Sequence, residues 1–144
     1  MRIIKKPIAY WTATSFVCVI MTISGLLAAL HDPRMMTALA HLGYPKYFAN
    51  LLGTGKLIGV VVLLVPGIPK FKEWAYVAFG ITVLSGAYSH LLSGDGFMAL
   101  DPLVTFAALV VSYRTRPAGR RLIHLGPHKS ELLSSHEQAR NIAA

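Results

Sequence analysis

The chain has 144 residues, 54% of them apolar and only 14% charged. A soluble domain carries about a quarter charged residues, so an ordinary solvated globule is excluded, and the length allows one domain at most. The formal charge of +8, from 14 Lys and Arg against 6 Asp and Glu, would suit nucleic acid, but these charges crowd at the ends of long apolar runs and are nearly absent inside them. Nucleic acid is therefore not an expected partner, and the expected class is an all-α integral membrane protein.

Met1-Arg2-Ile3-Ile4-Lys5-Lys6 mimics the start of a signal peptide. The uncharged run behind it, Ile8 to Leu30, has 23 residues, whereas a signal core has roughly 7–15. At 1.5 Å per residue it covers roughly 34 Å, enough to cross a bilayer, and is expected to be a retained first span. Cys18 lies inside it and is the only cysteine. It excludes an intrachain disulfide and dithiol exchange, and is expected as a small buried hydrophobe.

Asp32-Pro33 can cap a helix, and Gly43 with Pro45 can end one. Between them Arg34, Thr37 and His41 share one helical face, with Met35, Met36, Leu39 and Leu42 on the other. The spacing predicts a short amphipathic helix over 34–42, lying on the outer interface or lidding the bundle.

The second span runs over 47–65, broken by Lys56 and ended by Pro66-Gly67-Ile68-Pro69. The third runs over 74–92 and stops at Ser93-Gly94-Asp95-Gly96. The fourth, over 97–113, is the weakest, because the cleanly apolar stretch from Pro102 to Tyr113 has only 12 residues, roughly 18 Å. Either Asp101-Pro102 caps the helix at its start, or the helix begins near Phe97 with Asp101 inside it. Residues 1–113 thus form a four-helix transmembrane domain, and 114–144 a basic cytoplasmic tail.

Orientation follows from Lys and Arg in the short loops. With the N-terminus inside, Arg2, Lys5, Lys6, Lys70, Lys72, Arg114, Arg116, Arg120, Arg121, Lys129 and Arg140 fall on the inner side, against Arg34 and Lys46 outside. Both termini are expected in the cytoplasm, with the protein in a bacterial inner membrane. Tyr10, Trp11, Trp74, Tyr76 and Tyr113 are expected as inner interface anchors, and Tyr44, Tyr47 and Phe97 as outer ones.

Helices in lipid associate through small residues and interhelical hydrogen bonds. Ser15, Cys18, Thr22, Gly25 and Ala29 form one such stripe on the first span. Gly55 and Gly59 make a GxxxG pair on the second, and Ser85, Gly86, Ser89 and His90 share a face of the third. Packing explains Gly and Ser, but explains Lys56 and His90 less well.

Lys56 stands ten residues into the second span, where an ionised Lys costs about 2.5–3.5 kcal/mol on insertion scales. Three roles suit it: counter-charge for an anionic ligand, hydrogen-bond donor to a quinone-like carbonyl, or proton carrier. Pairing with Asp101 or with backbone carbonyls is the structural alternative. His31, Asp32, His41, His90, Asp95 and Asp101 gather at the outer end. Their spacing matches no recognised metal signature, so a hydrogen-bonded outer cap is expected rather than a metal site. His90 is the best single candidate among them, and His124, His128 and His136 in the tail carry no pattern. Only His90 is in or near a span, so no intrinsic haem is expected. Phosphate loops, nucleophile elbows and HExxH are absent from the sequence.

Several of these residues also form a pattern. Leu42-Gly43-Tyr44-Pro45, Leu52-Gly53 with Lys56-Leu57-Ile58-Gly59, Lys72-Glu73-Trp74-Ala75-Tyr76, Ser89-His90 with Gly94-Asp95, and Pro102 together resemble the DoxX-like group of small bacterial membrane proteins. The resemblance covers Ile8 to about Arg116 and leaves out the tail. It implies a four-helix protein of the wider DoxX/DoxD grouping. Some members of that grouping are similar to subunits of thiosulfate:quinone oxidoreductase or belong to membrane redox complexes.

The expected function is an accessory, ligand- or quinone-binding subunit near membrane redox chemistry, more a subunit than a stand-alone enzyme. Lys56, His90, Ser89, Asp101 and His41 are the candidate ligand residues, quinone the candidate cofactor, and lipid, redox subunits or further copies of the chain the candidate partners. The competing readings are a small-solute transporter with Lys56 as counter-charge, and a scaffold without ligand.

Overall fold

The computed structural model describes residues 5–121 together with 138, 140 and 141. The expectations made for Arg2, His124, His128, Lys129 and His136 lie outside the described residues. The described chain is helical throughout: α1 (Lys5–Ala29), α2 (Pro33–His41), α3 (Lys46–Leu64), α4 (Pro69–Leu92) and α5 (Leu100–Thr115), then a 3₁₀ turn at Ala118–Arg120. Among the described residues three helices are long and apolar enough to cross a membrane: Pro7–Ala29 within α1, α3 and α4. α5 has 16 residues, roughly 24 Å, which is shorter than a hydrocarbon core of about 30 Å.

α1 packs against α3 and α5, and α4 packs against the same two, so the four long helices close into a ring. Val17, Cys18, Met21, Val60, Leu63, Phe79, Val83 and Leu109 meet at its centre. Cys18 is buried there, in the role its surroundings predicted. The outward faces carry Ile23, Ile58, Val61, Val77 and Val104, each more than half exposed, as helices solvated by lipid require.

Small residues set the closest approaches, although not the pair first expected. A Cβ on Gly53 would stand 2.7 Å from the Ala29 nitrogen and 2.7 Å from the Gly25 oxygen, so α1 and α3 touch backbone to backbone there. A Cβ on Gly59 would stand 2.5 Å from the Phe79 ring, whereas one on Gly55 would meet nothing within 4 Å. Gly53 and Gly59 therefore face the bundle and Gly55 faces out. On α1 the stripe holds at Cys18 and Gly25, but Ser15 is exposed and Thr14 is buried instead. The Thr14 hydroxyl lies 2.7 Å from Ser112 Oγ, which lies 2.7 Å from the Tyr76 hydroxyl, joining α1, α5 and α4.

The end of the bundle away from α2, expected as the inner one, differs most from expectation. α4 starts at Pro69, five residues before Trp74, because proline suits the first helical turn and Lys72 finds partners within the fold. Lys72 is 1% exposed. Its Nζ donates to the Val62 and Leu63 carbonyls, both at 2.8 Å, and to that of Val65. These belong to the last turn of α3 and its cap residue Val65, whose carbonyls have no partner within the helix. Arg120 donates to the Leu63 and Leu64 carbonyls and to the Tyr10 hydroxyl. Arg116 donates to Glu73 at 2.8 Å and lies over the Tyr76 and Tyr113 rings. Three cations expected as solvated loop charges thus hold the bundle end together. Tyr10 and Tyr76 are likewise core residues rather than interface anchors, at 1% and 4% exposure, while Trp74 and Phe97 stay exposed.

α5 begins between the two sequence alternatives. Asp95 opens a turn whose carbonyl accepts from Met98 and Ala99, and the helix then starts at Leu100 with Asp101 in its first turn. It continues to Thr115.

Candidate functional site

The site is a cavity of about 420 Å³ in the half of the bundle that carries α2. Ile20, Met21 and Ser24 of α1 form one wall, Phe48, Leu52 and Lys56 of α3 the next, and Ile81, Thr82, Ser85 and His90 of α4 the third. Asp101, Pro102 and Thr105 close it from α5, while Met35, Ala38, Leu39 and Leu42 lie across it. Most of the lining is apolar, with a few polar groups converging, the usual composition of a small-molecule site. Two shallower grooves, one between α1 and α5 and one between α4 and α5, are lined almost wholly by apolar side chains.

Local sequence explains the wall made by α2. Asp32 accepts from the Arg34 and Met35 amides and Pro33 takes the first helical position, so the helix begins as the capping signal predicts. Leu39 is its buried residue and Arg34 and Thr37 are exposed, in agreement with the amphipathic reading. Both of its flanks turn in the left-handed region, at His31 (φ 54°) and Gly43 (φ 82°). His31 therefore shapes the chain reversal after α1 and does not line the cavity.

Lys56 is half-buried, and its Nζ donates to Ser24 Oγ at 3.1 Å. Among the described residues the ion pairs are His41–Asp95, His90–Asp95 and Arg116–Glu73, so Lys56 makes none and is not paired with Asp101. Both nevertheless line the same cavity. The pairing alternative drawn from the sequence is thus replaced by a hydroxyl contact, which leaves the ammonium with donors to offer.

The expected outer cap takes a definite form. His41 Nε2 lies 2.8 Å from Asp95 Oδ2 and His90 Nδ1 lies 3.4 Å from the same oxygen, linking α2, the 93–99 turn and α4. Burial beside the rings pushes the Asp95 carboxyl up, while hydrogen bonds and charge from the two imidazoles pull it down further, leaving it below its ordinary value. Ser89 turns to Tyr44, whose hydroxyl is 2.8 Å from Ser89 Oγ, and takes no part in the cavity lining. Of the five candidate residues, Lys56, His90 and Asp101 line the cavity, while His41 and Ser89 fasten its rim.

Ser24, Thr82 and Thr105 also line it and were not foreseen. A signal for Ser24 existed, since a hydroxyl within an apolar span needs a partner in lipid.

A family model for the DoxX-like family matches residues 12–112. The chain belongs to the DoxX-like family. The matched region of this DoxX-like protein takes in α3 and α4, most of α1 and α5, and the whole cavity lining. No curated protein and no solved structure matches the chain. Family membership and three helices of spanning length and composition fit an integral membrane protein.

Proposed function

We propose that this DoxX-like protein is a four-crossing inner-membrane protein with both termini cytoplasmic. On this reading it acts as an accessory subunit that binds an oxygen-bearing ligand, of quinone type, at Lys56. The single observation that carries the reading is the Lys56 ammonium in a cavity, bonded to Ser24 and, among the described residues, to no carboxylate. An intramembrane cation without a counter-ion is costly unless a ligand completes it. Asp101 and Thr105 supply polar contacts on the facing helix.

Four crossings are supported by the height of α5. Its start follows the Asp95 turn bonded to His90, and its end places Arg116 on Glu73. The 16 residues of α5 therefore run alongside α4 from Glu73 to His90, with the short flanking segments making up the length. The same packing supports α2 as an interfacial helix, since it lies across the opposite end from Lys72.

In this role the protein binds and orients and need not be a stand-alone enzyme. The test is Lys56→Met in lipid vesicles: insertion is retained and binding of a decyl-tailed benzoquinone is lost, whereas unchanged binding refutes the role of Lys56. That Lys56 makes no ion pair among the described residues also suits a counter-charge for a small anionic solute. Uptake of anions by the same vesicles, without redox cycling of quinone, would favour that second reading.

A further inference from the structure

We infer that the cavity is entered sideways from the bilayer, through a window between α3 and α4, by a single-chain amphiphile whose oxygen-bearing head reaches Lys56 while its chain stays in the lipid. The inference rests on the reading of the Lys56 cavity as a ligand site and adds the route and the class of occupant.

α3 and α4 are fastened at two levels. Below, the Phe79 ring sits against Gly59, closer than any Cβ there would allow. Above, the hydroxyl of Tyr44, two residues before α3 begins, bonds Ser89 Oγ at 2.8 Å. Between these levels both helices contribute cavity wall, Leu52 and Lys56 from one and Thr82 and Ser85 from the other. Ser85 is exposed although it is part of that wall, and Ile81 beside it is 62% exposed. Ile81 is the thirteenth residue of the 24-residue α4, so the opening lies near mid-span, where the surroundings are hydrocarbon and not water.

Position and size then select the occupant. A solute confined to water does not reach a mid-span opening, whereas a molecule already partitioned into the bilayer meets it by lateral diffusion. The cavity volume of about 420 Å³ lies in the lower part of the range for small-molecule sites. It holds a head group and the first part of a chain, and a long chain must leave through the window, at no hydrophobic cost in lipid. The ammonium of Lys56 selects a head with accepting oxygens, a carboxylate or a quinone carbonyl.

The test is photolabelling of the full chain in lipid nanodiscs, with labelled residues mapped by mass spectrometry and normalised to the lipid-facing side of α5. Four probes carry the diazirine next to the head: a carboxylate and a benzoquinone, each with a sixteen-carbon or a four-carbon chain. The expected result is labelling of residues 48–56 and 81–85 by a long-chain probe, at least tenfold above its short counterpart, with the head that labels identifying the source. Lys56→Met removes this labelling. Ser85→Trp, which fills the window at an exposed site, lowers it at least tenfold, and Val104→Trp on the far face leaves it unchanged. If short and long probes label equally and Ser85→Trp has no effect, lateral entry is overturned while the ligand site stands. If no probe labels the cavity segments, the ligand reading falls with it.

Discussion

Among the described residues Lys56 and Lys72 are the two lysines that enter the helical ring, and they do opposite things. Lys72 spends all three of its hydrogens on carbonyls at the end of α3. Replacing it by Met leaves those buried acceptors short, at about 1–3 kcal/mol for a lost partner. Lys72→Met is expected to lower thermal stability in detergent by about 2–4 kcal/mol, and Arg120→Ala by less, since only the Leu63 carbonyl is shared between the two. Asp95 allows a pH prediction. Its carboxyl is held below the ordinary range, so the His41–Asp95–His90 contact contributes stability that is fully present above that range and is lost as pH falls through the lowered value. A fluorophore on Thr37→Cys, in a Cys18→Ala background, should report α2 loosening as the pH falls below about 4. In Asp95→Asn it should report loosening throughout. Lys56 was legible in the sequence because a charge inside an apolar run has no routine explanation. Lys72, Arg116 and Arg120 were not, because cations at the ends of runs are the normal topology signal, and only the folded chain shows which of them turn inward.

At the scale of elements, the apolar runs placed α1 and α3 to within a few residues, and the cap at Asp32 placed α2. The choice of contact face on α3 was less legible. Gly53 and Gly55 are both small, and the GxxxG spacing favours the Gly55–Gly59 pair, yet backbone contact with Gly25 and Ala29 selects Gly53. Two substitutions separate these readings. Gly53→Leu is expected to cost at least 3 kcal/mol, above the usual range of about 1–3 kcal/mol for overpacking, because the obstacle is backbone and cannot move aside. Gly55→Leu is expected to change stability by less than about 0.5 kcal/mol. Loss of helical signal on heating in detergent is the measurement, and equal effects would refute the assigned face. The start of α5 was ambiguous for a related reason: Asp101-Pro102 has the chemistry of a cap, but the turn built on Asp95 begins the helix two residues earlier.

For the whole molecule, the uneven distribution of basic residues and the cavity make separate demands. The orientation proposed above predicts that a fluorescent protein fused after Ala144 folds in the cytoplasm and that alkaline phosphatase fused there stays inactive. An active phosphatase would invert every inner and outer assignment. The end carrying Lys72 is closed by cations on carbonyls and rings, while the opposite end is held by two imidazoles, a carboxylate and one hydroxyl pair. The family and its four-helix framework were legible from residue order and spacing. The shape of the cavity was not, since it depends on where α3 and α4 touch and where they part.

The burial of Lys72 on the end of α3 also bears on how the chain enters the membrane. Only residues 65–68 separate the two helices, so the carbonyls that accept the Lys72 protons have been synthesised before the lysine itself emerges. A lone α4 would leave that ammonium at the membrane surface without these acceptors. Released together with α3 as a helical hairpin, it arrives already satisfied. The short connection therefore makes α3 and α4 a single unit of insertion, and lengthening it should slow biogenesis well before it harms the finished bundle.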